Sequence, residues 1–308
     1  MRVKLPRTLP RPARSRPSRL PSVGPSDILL TDQVAIVTGS GAGIGQGIAA
    51  GLAAFGADVV VAEIDPERAR VTAGLIESQG RRCLAVPTDM SDTEQIRSMV
   101  DEAQRHFGRL DILVNNVGGV RQAPFLDQSE RSWRRHIDLN LISLFATTAA
   151  ATPTMISGAK GGSIVNVASI EALRAAPEFA VYAACKAAMT NFTRTMALEL
   201  AEHGIRVNAL APDIIATPGI RGIITGPVPS PLPPARGRSS EGVTRYVPLG
   251  REGSIDDCAG AAVFLCSAMA RYVTGVTLSI DGGTAASAGW VRRADGRGWQ
   301  LVAEQADA

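Results

Sequence analysis

Tyr182 and Lys186 lie four residues apart in "VYAACK", Val181 to Lys186, in a chain of 308 residues that has three tyrosines. Residues at this spacing share one face of a helix, about 6 Å apart along its axis. A free phenol titrates near pH ~10, too high for a base at neutral pH. A neighbouring ammonium favours the phenolate and lowers that value. The pair therefore makes a tunable proton donor and acceptor. Ser169 ends the apolar run that precedes this helical stretch. Its hydroxyl can hydrogen-bond a substrate oxygen beside the phenol.

A second group of residues points to a dinucleotide. In "VTGSGAGIGQG" the glycines Gly39, Gly43 and Gly45 give the spacing G-x-x-x-G-x-G between a strand and a helix. One glycine allows the tight turn, the next lets the backbone approach a pyrophosphate, and the third lets the helix pack on the strand. The helix N-terminus then meets the phosphate charge. Glu63 closes the second strand, where a carboxylate accepts hydrogen bonds from adenosine ribose hydroxyls and repels a 2′-phosphate. No Arg or Lys stands at Ala42 or Ile64. NAD is therefore expected rather than NADP, although Arg68 on the next helix could swing toward a phosphate.

The elements that would carry these residues alternate. "QVAIVT", "DVVVAE", "RCLAVP", "DILVNN", "GSIVNVAS", "IRVNALAP" and "VTLSI" read as short buried strands. Helical stretches separate them, with Asp65 as an N-cap before Pro66, and Ser91 with Glu94 as a capping box. One long helical region spans about Ser129 to Ile156, and another runs from Phe179 to a stop at Gly204. This alternation predicts an α/β fold: a single-domain, Rossmann-type, doubly wound parallel sheet of about seven strands with helices on both faces. The expected boundaries are a tail at 1–27, the domain at 28–288 and a C-terminal extension at 289–308. A proline-rich loop at about 217–249 lies beyond the sixth strand, where ligands bind in such sheets.

Composition narrows the classes. The tail is rich in proline and arginine, and its density of proline predicts disorder. It carries seven basic residues and no acid up to residue 25; removing them from the formal +3 leaves −4 for the rest. Nucleic-acid binding by the fold is not expected. Four cysteines without a C-x-x-C pair fit a reducing, cytoplasmic compartment. His106, His136 and His203 show no metal-ligand spacing. No apolar run reaches the length of a membrane span.

These motifs together resemble the short-chain dehydrogenase/reductase family, in its compact single-domain form, from about Asp32 to Gly283. The order "TGSGAGIG", "TDMSD", "NNVG", "DLN", Ser169 and "YAACK" carries the likeness. The resemblance implies a catalytic tetrad of Asn140, Ser169, Tyr182 and Lys186. Tyr182 would exchange a proton with the substrate oxygen that Ser169 holds. Lys186 would lower the Tyr182 pKa and bind the nicotinamide ribose, and Asn140 would position a water linking Lys186 to solvent. It further implies cofactor contacts at Gly39, Gly41, Gly43, Ile44, Gly45, Glu63, Asp89, Met90, Asn116, Val117, Gly118, Tyr182 and Lys186. The segment "PDIIAT" adds Pro212, Ile215 and Thr217 around the nicotinamide carboxamide. Asp213 replaces a common glycine, Val117 a usual alanine and Cys185 a usual serine. Cys185 reads as a small helix residue rather than a nucleophile.

The expected pocket walls are Val120, Ile170, Leu173, Phe179, Ile220, Ile223 and Ile224, with polar contacts from Glu171 and Arg121. They predict a hydrophobic secondary alcohol or ketone. A 3-oxoacyl-[acyl-carrier-protein] reductase using NADPH is the alternative, with Arg131, Arg134 and Arg135 as a docking patch. A dinucleotide-binding sensor without chemistry is the third reading. The resemblance implies that the helices holding Asn140 and Tyr182 form the main subunit contacts; their alanine-rich character, as in "FATTAAAT", permits close packing, so a homotetramer, or at least a dimer, is expected. Trp290 and Trp299 in the extension are expected on a neighbouring subunit, over the substrate mouth, or on their own chain.

Overall fold

The computed structural model describes residues 23–234 and 239–302; the expected tail lies outside them up to residue 22. Pro25–Ile28 forms a 3-10 turn, and its Asp27 pairs with Arg271 at 3.9 Å. The chain is thus tied to the fold a few residues before the expected boundary.

Strands β1 (Val34–Thr38), β2 (Asp58–Glu63), β3 (Cys83–Pro87), β4 (Ile112–Asn115), β5 (Gly162–Val167), β6 (Ile205–Pro212) and β7 (Thr277–Ile280) form one parallel sheet. Their order is β3-β2-β1-β4-β5-β6-β7. Strand side chains alternate between faces. Ala35 and Val37 of β1 therefore join one core layer, while Ile36 joins the other. The first layer is closed by α1 (Gly43–Ala54) and α8 (Ile255–Cys266), through Ile48, Leu52, Ala262 and Leu265. The second is closed by α3 (Thr93–Phe107) and α5 (Ser143–Ser157), through Met99, Val100, Ala151 and Met155. Each fully buried Leu or Ile in these layers contributes roughly 1.5–3 kcal/mol. Small residues set the helix spacing: a Cβ on Gly51 would sit 2.9 Å from Ala259 Cβ, so α1 and α8 need glycine there to meet.

Helix α2 (Pro66–Glu77) starts as expected, with the Asp65 carboxylate accepting from the N–H groups of Glu67 and Arg68. Helix α3 does not. Its cap is Asp92, whose Oδ1 accepts from Glu94 N at 2.9 Å, while Ser91 Oγ turns back to Asp89 at 2.7 Å. Asp92 rather than Ser91 takes the cap, so the predicted Ser91 box is corrected.

The long helical region is α4 (Glu130–Ile137) joined to α5 by a π-helical turn at Asp138–Ile142. By length and composition Glu130–Ser157 could cross a membrane, but here α5 buries Leu144, Ala151 and Met155 in the core. Helix α6 (Ala180–Glu199) carries the Tyr–Lys pair. The proline-rich loop is not structureless: it holds a 3-10 turn at Gly219–Arg221 and helix α7 (Ser240–Tyr246). After β7, a short helix α9 (Thr284–Ser287) leads to an antiparallel hairpin of β8 (Trp290–Arg292) and β9 (Trp299–Leu301). The hairpin lies on its own chain: Arg292 donates to the Pro248 carbonyl at 2.7 Å and sits 5.0 Å from the Trp299 ring centre.

Candidate active site

The chain leaves β1 and β4 toward opposite edges of the sheet, so their carboxyl ends open a crevice. Gly39 (φ 61°) and Gly43 (φ 60°) take left-handed backbone at the turn from β1 into α1. Ala42 caps α1 with no side-chain hydrogen bond, so the first-turn N–H groups of Gly43, Ile44 and Gly45 have no side-chain acceptor. That is an anion site by construction. The loop is locked from below: Asn116 Nδ2 donates to the carbonyls of Thr38 (2.9 Å) and Gly39 (3.1 Å). Thr38 Oγ1 accepts from Asn116 N and Val117 N.

Glu63 stands at the end of β2. Its Oε2 accepts from Gly41 N at 2.9 Å, and its Oε1 from Ile64 N at 2.9 Å and Asp65 N at 3.1 Å. A Cβ on Gly41 would meet Glu63 Cγ at 2.6 Å, so glycine is what lets the carboxylate reach the loop. Arg68 does not point to this carboxylate. Its guanidinium donates to the carbonyls of Gly226 (2.8 Å), Ile224 (3.0 Å) and Ile223 (3.3 Å), pinning the substrate loop to α2. The nearest cation expected for a 2′-phosphate is therefore engaged elsewhere. These residues fit a dinucleotide: a free helix N-terminus for the diphosphate and a fixed carboxylate for the ribose.

The structure brings the predicted tetrad together. Ser169 caps the 3-10 turn Ile170–Ala172, its Oγ accepting from Glu171 N at 3.2 Å. The Tyr182 phenol is close enough that the Ser169 hydroxyl favours the phenolate and pulls the phenol's pKa down. Lys186 is buried, and its Nζ lies 5.7 Å from the Tyr182 ring centre. Asn140 sits in the π turn, where the extra residue frees the His136 carbonyl to accept Asn140 Nδ2 at 2.9 Å. Its Oδ1 accepts Gly119 N at 3.2 Å. A Cβ on Gly118 would meet Asn140 Oδ1 at 2.7 Å and Lys186 Nζ at 3.1 Å, so Gly118 keeps that space open. A buried chain of Asn115, Asn166 and Thr193 ties β4, β5 and α6 into one frame beneath the site.

The electrostatics differ from the expectation in one respect. Burial pushes the Tyr182 phenol above its ordinary value; the Ser169 hydrogen bond pulls it down, and the Glu171 charge pushes it up. The Lys186 Nζ donates to the Val167 carbonyl at 2.8 Å. Burial in turn pulls Lys186 down to about 8. Burial likewise raises the Cys185 thiol, in keeping with a small packed residue.

The remaining residues divide. Met90 is buried, and Asp89 Oδ1 is used by Ser91 N and Oγ. Pro212 ends β6, and Ile215 bridges to Gly253 with its side chain buried. Thr217 lies over Gly43 and accepts Ile220 N at 3.3 Å. Ile170 is only 1 % exposed and is core rather than pocket wall, because the turn after Ser169 points it inward. Val120, Leu173 and Ile224 are exposed, as a wall requires. The sequence reading passed over Thr38, although it opens "TGSGAGIG", and over Tyr246, whose contact with Asp213 spans 33 residues.

Residues 39–285 match a family model described as enoyl-(acyl carrier protein) reductase. A 2-dehydro-3-deoxy-D-gluconate 5-dehydrogenase of Dickeya dadantii is 37% identical over 82% of this chain and 96% of its own. A solved 7α-hydroxysteroid dehydrogenase, complexed with NADH and 7-oxo glycochenodeoxycholic acid, superposes with TM-score 0.77 at 34% identity, covering 85% of this chain and 98% of that one. A gluconate 5-dehydrogenase of Burkholderia cenocepacia, in complex with NADP and tartrate, gives TM-score 0.76 at 33% identity, again over 85% and 98%. The chain belongs to the short-chain dehydrogenase/reductase family. It is an oxidoreductase of CH–OH groups whose fold takes a nicotinamide dinucleotide.

Proposed function

We propose that the protein is a cytoplasmic, NAD-dependent oxidoreductase that interconverts a hydrophobic secondary alcohol and its ketone. The observation that carries the reading is the grouping of Ser169, Tyr182 and Lys186 beside the glycine loop. When bound, the nicotinamide supplies the hydride donor or acceptor. Ser169 holds the substrate oxygen, and Tyr182 gives or takes its proton. Lys186, fixed by the Val167 carbonyl, is placed to hold the nicotinamide ribose. Asn140 shapes the pocket for a water that connects Lys186 to solvent.

Glu63 and the engagement of Arg68 support NAD. The NADPH-dependent acyl-carrier reductase reading has the opposite requirement at Glu63. Exposed Val120, Leu173 and Ile224 support an apolar substrate. Fluorescence titration tests the cofactor assignment: wild type should prefer NADH over NADPH by about tenfold or more, ~1.4 kcal/mol, and Glu63→Ala should narrow that gap. A wild-type preference for NADPH would overturn it.

The exposed Ile137, Ile142, Phe145 and Leu198 on α4 to α6 support a homotetramer. Light scattering should return four chains; a monomer would contradict this.

A further inference from the structure

Asp213 follows Pro212 at the carboxyl end of β6, and its side chain is 8% exposed. Its Oδ2 accepts the Tyr246 hydroxyl at 3.1 Å and Thr284 Oγ1 at 2.6 Å. Its Oδ1 faces Arg174 Nη2 at 3.4 Å. Arg174 in turn holds Glu171 at 2.9 Å and lies 5.9 Å from the Tyr246 ring centre. Glu171 donates its backbone N–H to Ser169 Oγ.

One buried carboxylate thus gathers four segments: the end of β6, helix α7 of the substrate loop, helix α9, and the turn that begins at Ser169. A carboxylate out of water is costly unless paired and hydrogen-bonded, so its partners are held firmly once it is buried. Helix α7 needs such an anchor. It has seven residues and none of them is buried; its buried apolar contact lies just beyond it, at Val247 beside Gly282. Tyr246, its last residue, is the contact that reaches the site.

We propose that Asp213 is a positioning residue: it docks α7, and with it the substrate loop, against the Ser169 turn, and so sets how tightly substrate is held. The proposal rests on the reading of Ser169 and Tyr182 as the reacting groups. Arg174 stands between the Asp213 and Glu171 carboxylates, so the three side chains together carry one net negative charge. The two hydroxyls at Oδ2 come from residues 38 apart in the chain, whose segments also meet where Leu249 N donates to the Gly282 carbonyl at 3.0 Å.

Hydrogen–deuterium exchange of residues 239–247, with NADH titration and steady-state kinetics on the best secondary alcohol, tests this in wild type, Tyr246→Phe and Asp213→Asn. Tyr246→Phe removes one hydroxyl and keeps the ring, so it guards against misfolding of the Asp213 variant. Exchange in α7 should rise about fivefold or more in both variants. KM should rise about five- to tenfold, with the smaller part of the loss in kcat, and NADH affinity should stay within about twofold. The double variant should do no more than Asp213→Asn alone, since the Tyr246 hydroxyl acts through that carboxylate. Unchanged exchange overturns the proposal, as does raised exchange with an unchanged KM or a loss confined to kcat. If wild type turns over no alcohol, the reading of the reacting groups fails, and unchanged exchange in the variants would then overturn the dock separately.

Discussion

Tyr182→Phe should lower turnover about 10³-fold, ~4 kcal/mol of transition-state stabilisation, while the fold and NADH binding survive. The phenol stands beside the Ser169 hydroxyl and can both give and take a proton at the substrate oxygen. Phenylalanine keeps the ring packing, so the structural loss is one hydrogen bond, about 1 kcal/mol. Kinetics beside NADH titration and circular dichroism check it. Turnover within threefold of wild type would place proton transfer elsewhere.

Lys186→Met should cost turnover and yet stabilise the folded chain near neutral pH. Burial lowers the Lys186 pKa from 10.5 to about 8. Below pH 8 the folded protein carries a buried ammonium, and this charge is a penalty that unfolding relieves. Between about 8 and 10.5 the folded chain has released its proton while the unfolded chain still holds one. The unfolded state then binds more protons, so stability rises with pH through that window, by on the order of 3 kcal/mol from this group. Methionine removes the penalty but leaves the Val167 carbonyl without its donor, which returns about 1 kcal/mol. The variant should therefore be more stable than wild type by about 2 kcal/mol at pH 7, and the advantage should vanish by pH ~10.5. Urea unfolding at both pH values checks it. A variant less stable than wild type by the same amount at both would refute the buried-charge account. A charge that costs stability but stays in the site is what a functional lysine would show.

The sheet was legible because its strands are short apolar runs between helical stretches, and "IRVNALAP" marks β6 to the residue. The glycine loop and the pair on α6 were legible because their chemistry lies within a few residues of sequence. Contacts that span the chain were not. Nothing near Arg68 announces that it will hold Ile223, Ile224 and Gly226, more than 150 residues away. Asp213 showed itself as a departure, but its partners Tyr246 and Thr284 come from two other segments. The inward turn of Ile170 depends on the Ser169 cap, a backbone event that hydrophobicity alone does not reveal. The competition between Asp92 and Ser91 for the α3 cap was local, between two residue types that cap about equally well, and residue type alone does not decide it.

The central claim is that this site moves a proton and a hydride together on a secondary alcohol. Its most direct test is the absorbance of reduced nicotinamide during incubation of wild-type protein with NAD or NADP and a panel of apolar secondary alcohols, with the matching ketones run in reverse. The account predicts turnover of at least one alcohol–ketone pair with NAD, weaker or none with NADP, and near-complete loss in Tyr182→Phe. Tight NADH binding with no turnover across the panel, in either direction and with either cofactor, would contradict it and leave a dinucleotide-binding protein that does no chemistry.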